Sequence, residues 1–203
     1  MKQNYQLVLD RITEEIKKNG TRPSLLLQAC CAPCSSYVLE YLNEYFDITL
    51  FFYNPNISPS EENELRLAEL KRLVSEMGLS DSVRIINGEY QPERFCDIAT
   101  GLEDLPEGGA RCAKCYGLRL EETAKLAAAG GYDYFCTTLS ISPHKNAEWI
   151  NSIGEAMAEK HGARWLPSDF KKRGGYKRSC ELSVQYGLYR QDFCGCVYSK
   201  RDK

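Results

Sequence analysis

Leu25-Leu26-Leu27-Gln28-Ala29, running directly into Cys30-Cys31-Ala32-Pro33-Cys34, is the stretch on which the reading of this chain turns. Its nearly unbroken apolar run suits a strand covered on both faces, as in a parallel sheet, better than the alternation of a half-solvated one. The cysteines then stand where such a strand gives out. Upstream, Asn4 to Lys18 has helical spacing, with Leu7, Leu9, Ile12 and Ile16 available for a buried side and Gly20 as the stop. Downstream, the pattern predicts a helix over roughly Ser35 to Tyr45 and a second strand over Ile48 to Tyr53. Ser58 and Pro59 fit the N-cap and first position of a long helix closed by Gly78.

The alternation continues. Val83 to Ile86 is a third short strand, residues 88–111 are an irregular loop or small insertion, and Ala113 to Ala129 is helical up to Gly130-Gly131. Tyr132 to Thr137 gives a fourth strand, Asn146 to Lys160 a helix, Arg164 to Leu166 a fifth strand, and Ser179 to Tyr189 a last short helix. Strands and helices taking turns predict an α/β fold: an open parallel sheet with flanking helices, Rossmann-like, in one domain spanning 1–203. Ligands of such sheets lie beyond the carboxyl ends of the strands. Those ends are followed here by the cysteine cluster, by Asn54-Pro55-Asn56, by Thr138 to Lys145 and by Pro167-Ser168-Asp169, which one rim of the sheet would collect.

Composition narrows the classes. Met1 to Gly20 carries Asp10, Glu14 and Glu15 at helical spacing, the wrong make-up for a secretory leader, and no apolar run approaches the ~20 residues that cross a bilayer. The expectation is a soluble cytoplasmic protein with no membrane contact. Ten cysteines in a reducing compartment then point to metal or redox chemistry instead of a disulfide framework. The net charge of −2 hides an asymmetry, because residues 163–203 hold ten Lys/Arg against four Asp/Glu, leaving −8 for the remainder. That basic end is a candidate polyanion contact, with a merely solvated surface as its alternative.

Seven thiols fall in motifs: Cys30, Cys31 and Cys34; Cys112 and Cys115; Cys194 and Cys196. Cys34 and the Cys112–Cys115 pair are expected at helix starts, where amide dipoles favour the thiolate. Successive residues leaving a strand point different ways, so Cys30 and Cys31 are expected to serve two adjacent centres and not one mononuclear site. A closed structural zinc site is the plain alternative, but zinc is satisfied by four ligands. Seven thiols suit a [4Fe–4S] cluster on four cysteines with a further metal on the other three. A thiol–disulfide redox pair is a third alternative. Cys136 is expected as a small core residue, while Cys96 and Cys180 have no partner at motif spacing.

With these cysteines in order come Phe52-Tyr53-Asn54-Pro55-Asn56-Ile57, Arg111-Cys112-Ala113-Lys114-Cys115-Tyr116 with Arg119, Thr137 to Lys145, and Tyr189 to Cys196. On these segments, over nearly the whole chain after the first helix, the sequence resembles the QueH-type epoxyqueuosine reductases. The resemblance implies a HUP-like α/β fold and a cobalamin-independent oxidoreductase that removes the epoxide oxygen from epoxyqueuosine in tRNA, the last step of queuosine formation. It also implies a [4Fe–4S] cluster with an adjacent mononuclear iron, in agreement with the seven thiols. On that basis Cys31, Cys112, Cys115 and Cys194 are assigned to the cluster and Cys30, Cys34 and Cys196 to the iron, since family members can carry a carboxylate in place of Cys34.

Turning an epoxide into an alkene consumes two electrons and two protons, and a cluster relays electrons singly from an external donor while a second iron suits Lewis-acid activation. His144 and Tyr116 are the candidate proton donors on motif segments, a capping or packing role being the alternative for His144. Lys171, Lys172, Arg173, Lys177, Arg178 and Arg190, with Tyr176 and Tyr189 interleaved, are candidate contacts to a tRNA anticodon stem-loop, whose phosphates suit the cations and whose unstacked bases suit the rings. Two rival functions are an ATP-dependent tRNA thiolase on the same fold and a non-redox zinc-binding RNA adaptor. The thiolase needs a Gly/Ser-rich phosphate loop after the first strand, where this chain has no glycine between Ser24 and Tyr45. The adaptor predicts colourless protein with bound zinc.

Overall fold

Leu25, Leu26 and Leu27 are fully buried, so the strand that carries them needs cover on both faces and hydrogen-bonded neighbours on both edges. The computed structural model, which describes residues 3–199, supplies both. β1 (Ser24–Gln28) pairs in parallel with β2 (Asp47–Phe52) on one side and β4 (Tyr134–Thr137) on the other, and β3 (Arg84–Asn87) completes the order β3-β2-β1-β4. Leu26 sits opposite Thr49 in β2 and Phe135 in β4. The helices are α1 (Tyr5–Asn19), α2 (Ala32–Leu42), α3 (Ser60–Glu76), α4 (Pro92–Ala99), α5 (Ala110–Gly130), α6 (Ala147–His161) and α7 (Gly175–Gln185). Right-handed crossovers put α2 and α3 on one face and, after the chain returns from β3 to β4, α5 on the other. α7 packs on α2, and α6 on α5. The chain therefore leaves β1 toward one neighbour and reaches the other only later, which makes the carboxyl end of β1 the switch point of the sheet.

Several expectations shift. Arg164 to Leu166 forms a single bridge, Phe135 to Trp165, and not a fifth strand; Pro167, which has no N–H, stops the ladder there. Residues 88–111 hold α4, which buries Phe95 and Ala99 against Cys115, Leu118 and Cys196. α2 starts three residues early because Pro33 is tolerated in a first helical turn, and α3 starts at Ser60 with Pro59 as N-cap. α7 lies four residues ahead of the expected span: Gly175 approaches the Phe170 carbonyl too closely to carry a Cβ, and Gly187, at φ 53°, lies beyond its end. In α1 the inner face is taken by Leu9, Ile16, Gln6, Asp10 and Thr13, leaving Leu7 exposed. Among the described residues no helix is long and apolar enough to cross a membrane.

Candidate metal centre

The turn after β1 determines the first group of thiols. Cys31 caps α2 in an extended conformation (φ −169°, ψ 164°), and the backbone swings from strand to helix at that residue. Strand alternation ends there, so the side chains of Cys30, Cys31 and Cys34 converge instead of diverging. Their three sulfurs lie within 4.8 Å of one another, with Cys30 and Cys31 3.7 Å apart. Cys30 is also 3.7 Å from the Thr138 hydroxyl, just past β4, which places the trio at the switch point. Hydrogen bonds from Cys31 and Cys34 hold the Cys30 thiol well below its ordinary range. The same contacts with Cys30 push Cys31 up to about 12 and Cys34 well above the thiol range, so the trio favours one thiolate.

A second group forms where α5 meets the segment after α7. Cys112 and Cys115, in the first turns of α5, border a cavity of about 20 Å³ together with Cys194, Cys196, Phe95 and Tyr116. The Gly108 N–H donates to the Cys112 sulfur at 3.3 Å. Burial pushes Cys115 up to about 12 and raises Cys196. The trio alone among the described residues brings three sulfurs within 4.8 Å of one another; the other four thiols form a looser quartet around the small cavity. Cys31 lies with Cys30 and Cys34, and Cys196 borders the small cavity with Cys112, Cys115 and Cys194.

Polar residues of α3 hold Cys194 and Cys196 in place. Arg66, 2% exposed, pairs with Glu62 at 2.7 Å, donates to the carbonyls of Cys194 (3.1 Å) and Phe193 (3.4 Å), and lies over the Phe193 ring. The Ser58 N–H donates to the Gly195 carbonyl at 2.9 Å. One and two turns further along, Glu69 accepts from the Tyr189 N–H and Arg72 donates to the Tyr186 carbonyl. Charged residues at this spacing read as a solvated helix face, which is why sequence reasoning passed over Arg66 and Glu62.

A fully buried polar network ties the strand ends to α5. The Thr137 hydroxyl donates to Gln28 Oε1 (2.7 Å), Gln28 Nε2 donates to the Tyr53 carbonyl (3.1 Å), and Asn54 Nδ2 donates to the Ala29 carbonyl (2.9 Å). Arg119 Nη2 then donates to Asn54 Oδ1 at 2.6 Å. Burial works to lower the pKa of Arg119, but the sulfurs of Cys115, Cys30 and Cys194 outweigh it and the net direction is up. Lys145 follows the same pattern: desolvation opposes its charge, and Cys194, Cys30 and Cys34 more than restore it. Beside these groups opens a cleft of about 980 Å³, bordered by the ends of β1, β2 and β4 and by Tyr176, Arg190 and Gln191. The expected rim is therefore present for three strands; Ser168 instead turns inward to Asn151 and Ser140.

The other candidate residues separate by position. Tyr116 is buried beside the quartet, and burial raises its phenol pKa, so it stays protonated. His144 is exposed at the cleft border. In the basic segment, Lys171 pairs with Asp169 (2.7 Å), Arg173 with Asp10 (2.6 Å) and Arg178 with Glu40 (2.7 Å). Arg190 donates to Ser183 and Cys180, and the Tyr189 hydroxyl donates to Glu62. Lys172 and Lys177 are exposed and form no ion pair among the described residues. Cys136 is a core thiol pushed up to about 12 by burial.

Comparison with known proteins identifies the family. Residues 25–202 match the family model described as epoxyqueuosine reductase QueH. The chain is 43% identical over 200 residues to the Streptococcus pyogenes serotype M1 protein named epoxyqueuosine reductase QueH, covering 98% of this chain and 78% of that one. Its namesake from Staphylococcus epidermidis is 44% identical, with 97% and 84% covered, and that from Thermotoga maritima 37%, with 87% and 90% covered. Matched by that model over residues 25–202 and by relatives of which it covers 78–90%, the chain belongs to the epoxyqueuosine reductase QueH family.

Proposed function

We propose that this chain reduces epoxyqueuosine to queuosine in tRNA, using an iron–sulfur centre held by its clustered cysteines. The observation that carries the reading is the convergence of Cys30, Cys31 and Cys34 with Cys112, Cys115, Cys194 and Cys196 at the carboxyl end of the sheet, beside a cleft of about 980 Å³. Ligand clefts run from roughly 300 to 1,000 Å³, so this one has room for a modified nucleoside turned out of an anticodon loop. The donor set fits the group: soft thiols throughout, an N–H on the Cys112 sulfur, and two cations against the sulfur charge. Cys112 and Cys115 would anchor a [4Fe–4S] cluster, and the trio and the Cys194–Cys196 pair would supply its other ligands and those of an adjacent iron. Such a centre, when bound, supplies single electrons from an external donor and a Lewis acid, without cobalamin.

The chain's own residues do the remaining work. Tyr116 holds a proton beside the quartet, and His144 stands exposed at the cleft border, so together they suit proton delivery to the departing oxygen. Lys172 and Lys177 are free to meet tRNA phosphates, with Tyr176 and Arg190 at the cleft nearer the base. A tRNA substrate places this activity in the cytoplasm.

The test is iron, zinc and acid-labile sulfide per chain on protein purified without air, followed by reaction with epoxyqueuosine-containing tRNA and a chemical reductant. About five irons and four sulfides, with queuosine among the digested nucleosides, is the expected result. Stoichiometric zinc without sulfide after iron-replete expression would remove the redox reading and leave an RNA-binding module.

A further inference from the structure

The cleft and the small cavity share a wall made of Asn56, Glu107, Arg119, Lys145 and Cys194. Two of these five are cations. Arg119 is 1% exposed; its Nη2 is occupied by the Asn54 amide, its Nε has no hydrogen-bond partner, and it lines the small cavity with Cys115. Lys145 lines the cleft together with Cys30, Cys34 and Cys194, and the small cavity together with Cys112, Cys115, Cys194 and Cys196. Neither cation forms an ion pair with a carboxylate among the described residues, Glu107 of the same wall included, and the sulfurs of both groups line the cavities they border. Arg119 is buried and Lys145 half-buried, and a cation withdrawn from water is costly without a counter-charge, which thiolate sulfur would supply here.

We infer that Arg119 and Lys145 form a fixed-charge partition between the two thiol groups, with Lys145 as the positioning residue that raises the reduction potential of the centre they hold. The inference rests on the iron–sulfur reading above. Thiolate-bound iron–sulfur centres carry net negative charge, and one-electron reduction adds more. A positive charge fixed nearby stabilises the reduced form, and it does so strongly where burial limits solvent screening. Lys145 borders both groups, whereas His144, its neighbour in sequence, is exposed to solvent. Arg119 is also committed to the scaffold network, which leaves Lys145 as the residue whose charge can be removed cleanly.

Lys145→Gln and Lys145→Arg, purified and loaded without air beside the unaltered protein, test this through iron and sulfide counts, thermal melts and a redox titration followed by electron paramagnetic resonance. Lys145→Gln is expected to load normally and to reduce at a more negative potential, at least tenfold in the reduction equilibrium constant, about 59 mV for one electron. Lys145→Arg is expected to keep the original potential. A Lys145→Gln protein that melts normally but loses iron, while Lys145→Arg keeps it, would overturn the role in setting the potential and leave one in holding the centre. Unchanged potential in Lys145→Gln, or loss of iron from both variants, would overturn the inference. Unaltered protein without sulfide would overturn the iron–sulfur reading itself, before any variant is compared.

Discussion

Gly195 is the most constrained residue of the site, because at φ +101° an added Cβ would meet Ile57 Cγ1 at 2.9 Å and Arg66 Nη1 at 3.1 Å. Gly195→Ala is therefore expected to cost about 1–3 kcal/mol in urea unfolding and to speed alkylation of Cys194 and Cys196 in the metal-free protein. Far from the site, Asp133 accepts from the Ser24 N–H and hydroxyl, both at 2.8 Å, and these bonds hold its carboxyl below the usual range. Its stabilisation is then complete above the unfolded value near pH ~4 and fades as pH falls through the lower folded value. Because Asp133 is exposed, the advantage over Asp133→Asn at pH 7 should be under about 1 kcal/mol, and it should vanish in acid. Comparison of urea midpoints at pH 7 and pH 3 measures both. At this scale the thiols were legible from their spacing, but Lys145 was not: beside His144 it carries no periodic signal, and only the folded wall shows what it faces.

α3 acts as an acid–base ladder that grips the segment carrying Cys194 and Cys196. Arg66→Ala removes a nearly buried ion pair and two carbonyl contacts, so an expected loss of about 3–5 kcal/mol should appear as a lower urea midpoint. The basic segment behaves differently from its charge count. Lys171, Arg173 and Arg178 already face acids, so replacing Lys172 and Lys177 by Ala should weaken tRNA binding and lower its salt slope by about 1–2, more than the same treatment of Lys171 and Arg173. Filter binding across a salt series checks this, and equal slopes would take the two lysines out of the interface. The elements themselves were mostly readable. β1, β2 and β4 announced themselves as apolar runs bounded by turns. α4 was missed because it is eight residues long and buries only Phe95 and Ala99, and the register of α7 was missed because nothing local reveals how closely Gly175 approaches Phe170.

For the molecule as a whole, the parallel sheet was legible because strand and helix alternate and because a strand buried on both faces needs little alternation of its own. The meeting of Cys112 and Cys115 with Cys194 and Cys196 was not, since no local pattern says which loops a crossover will bring together. If metal binds only the folded state, loading should stabilise the entire domain: the metal-free protein, prepared by chelation under reducing conditions, is expected to melt several degrees below the loaded form, by calorimetry. The ladder on α3 also fixes an order of events. A chain emerging from the ribosome completes β1, α3, α5 and β4 before the segment bearing Cys194 and Cys196 is synthesised. Five of the seven thiols are therefore synthesised before the strap that closes over them, and a metal arriving in that interval would meet an unfinished site.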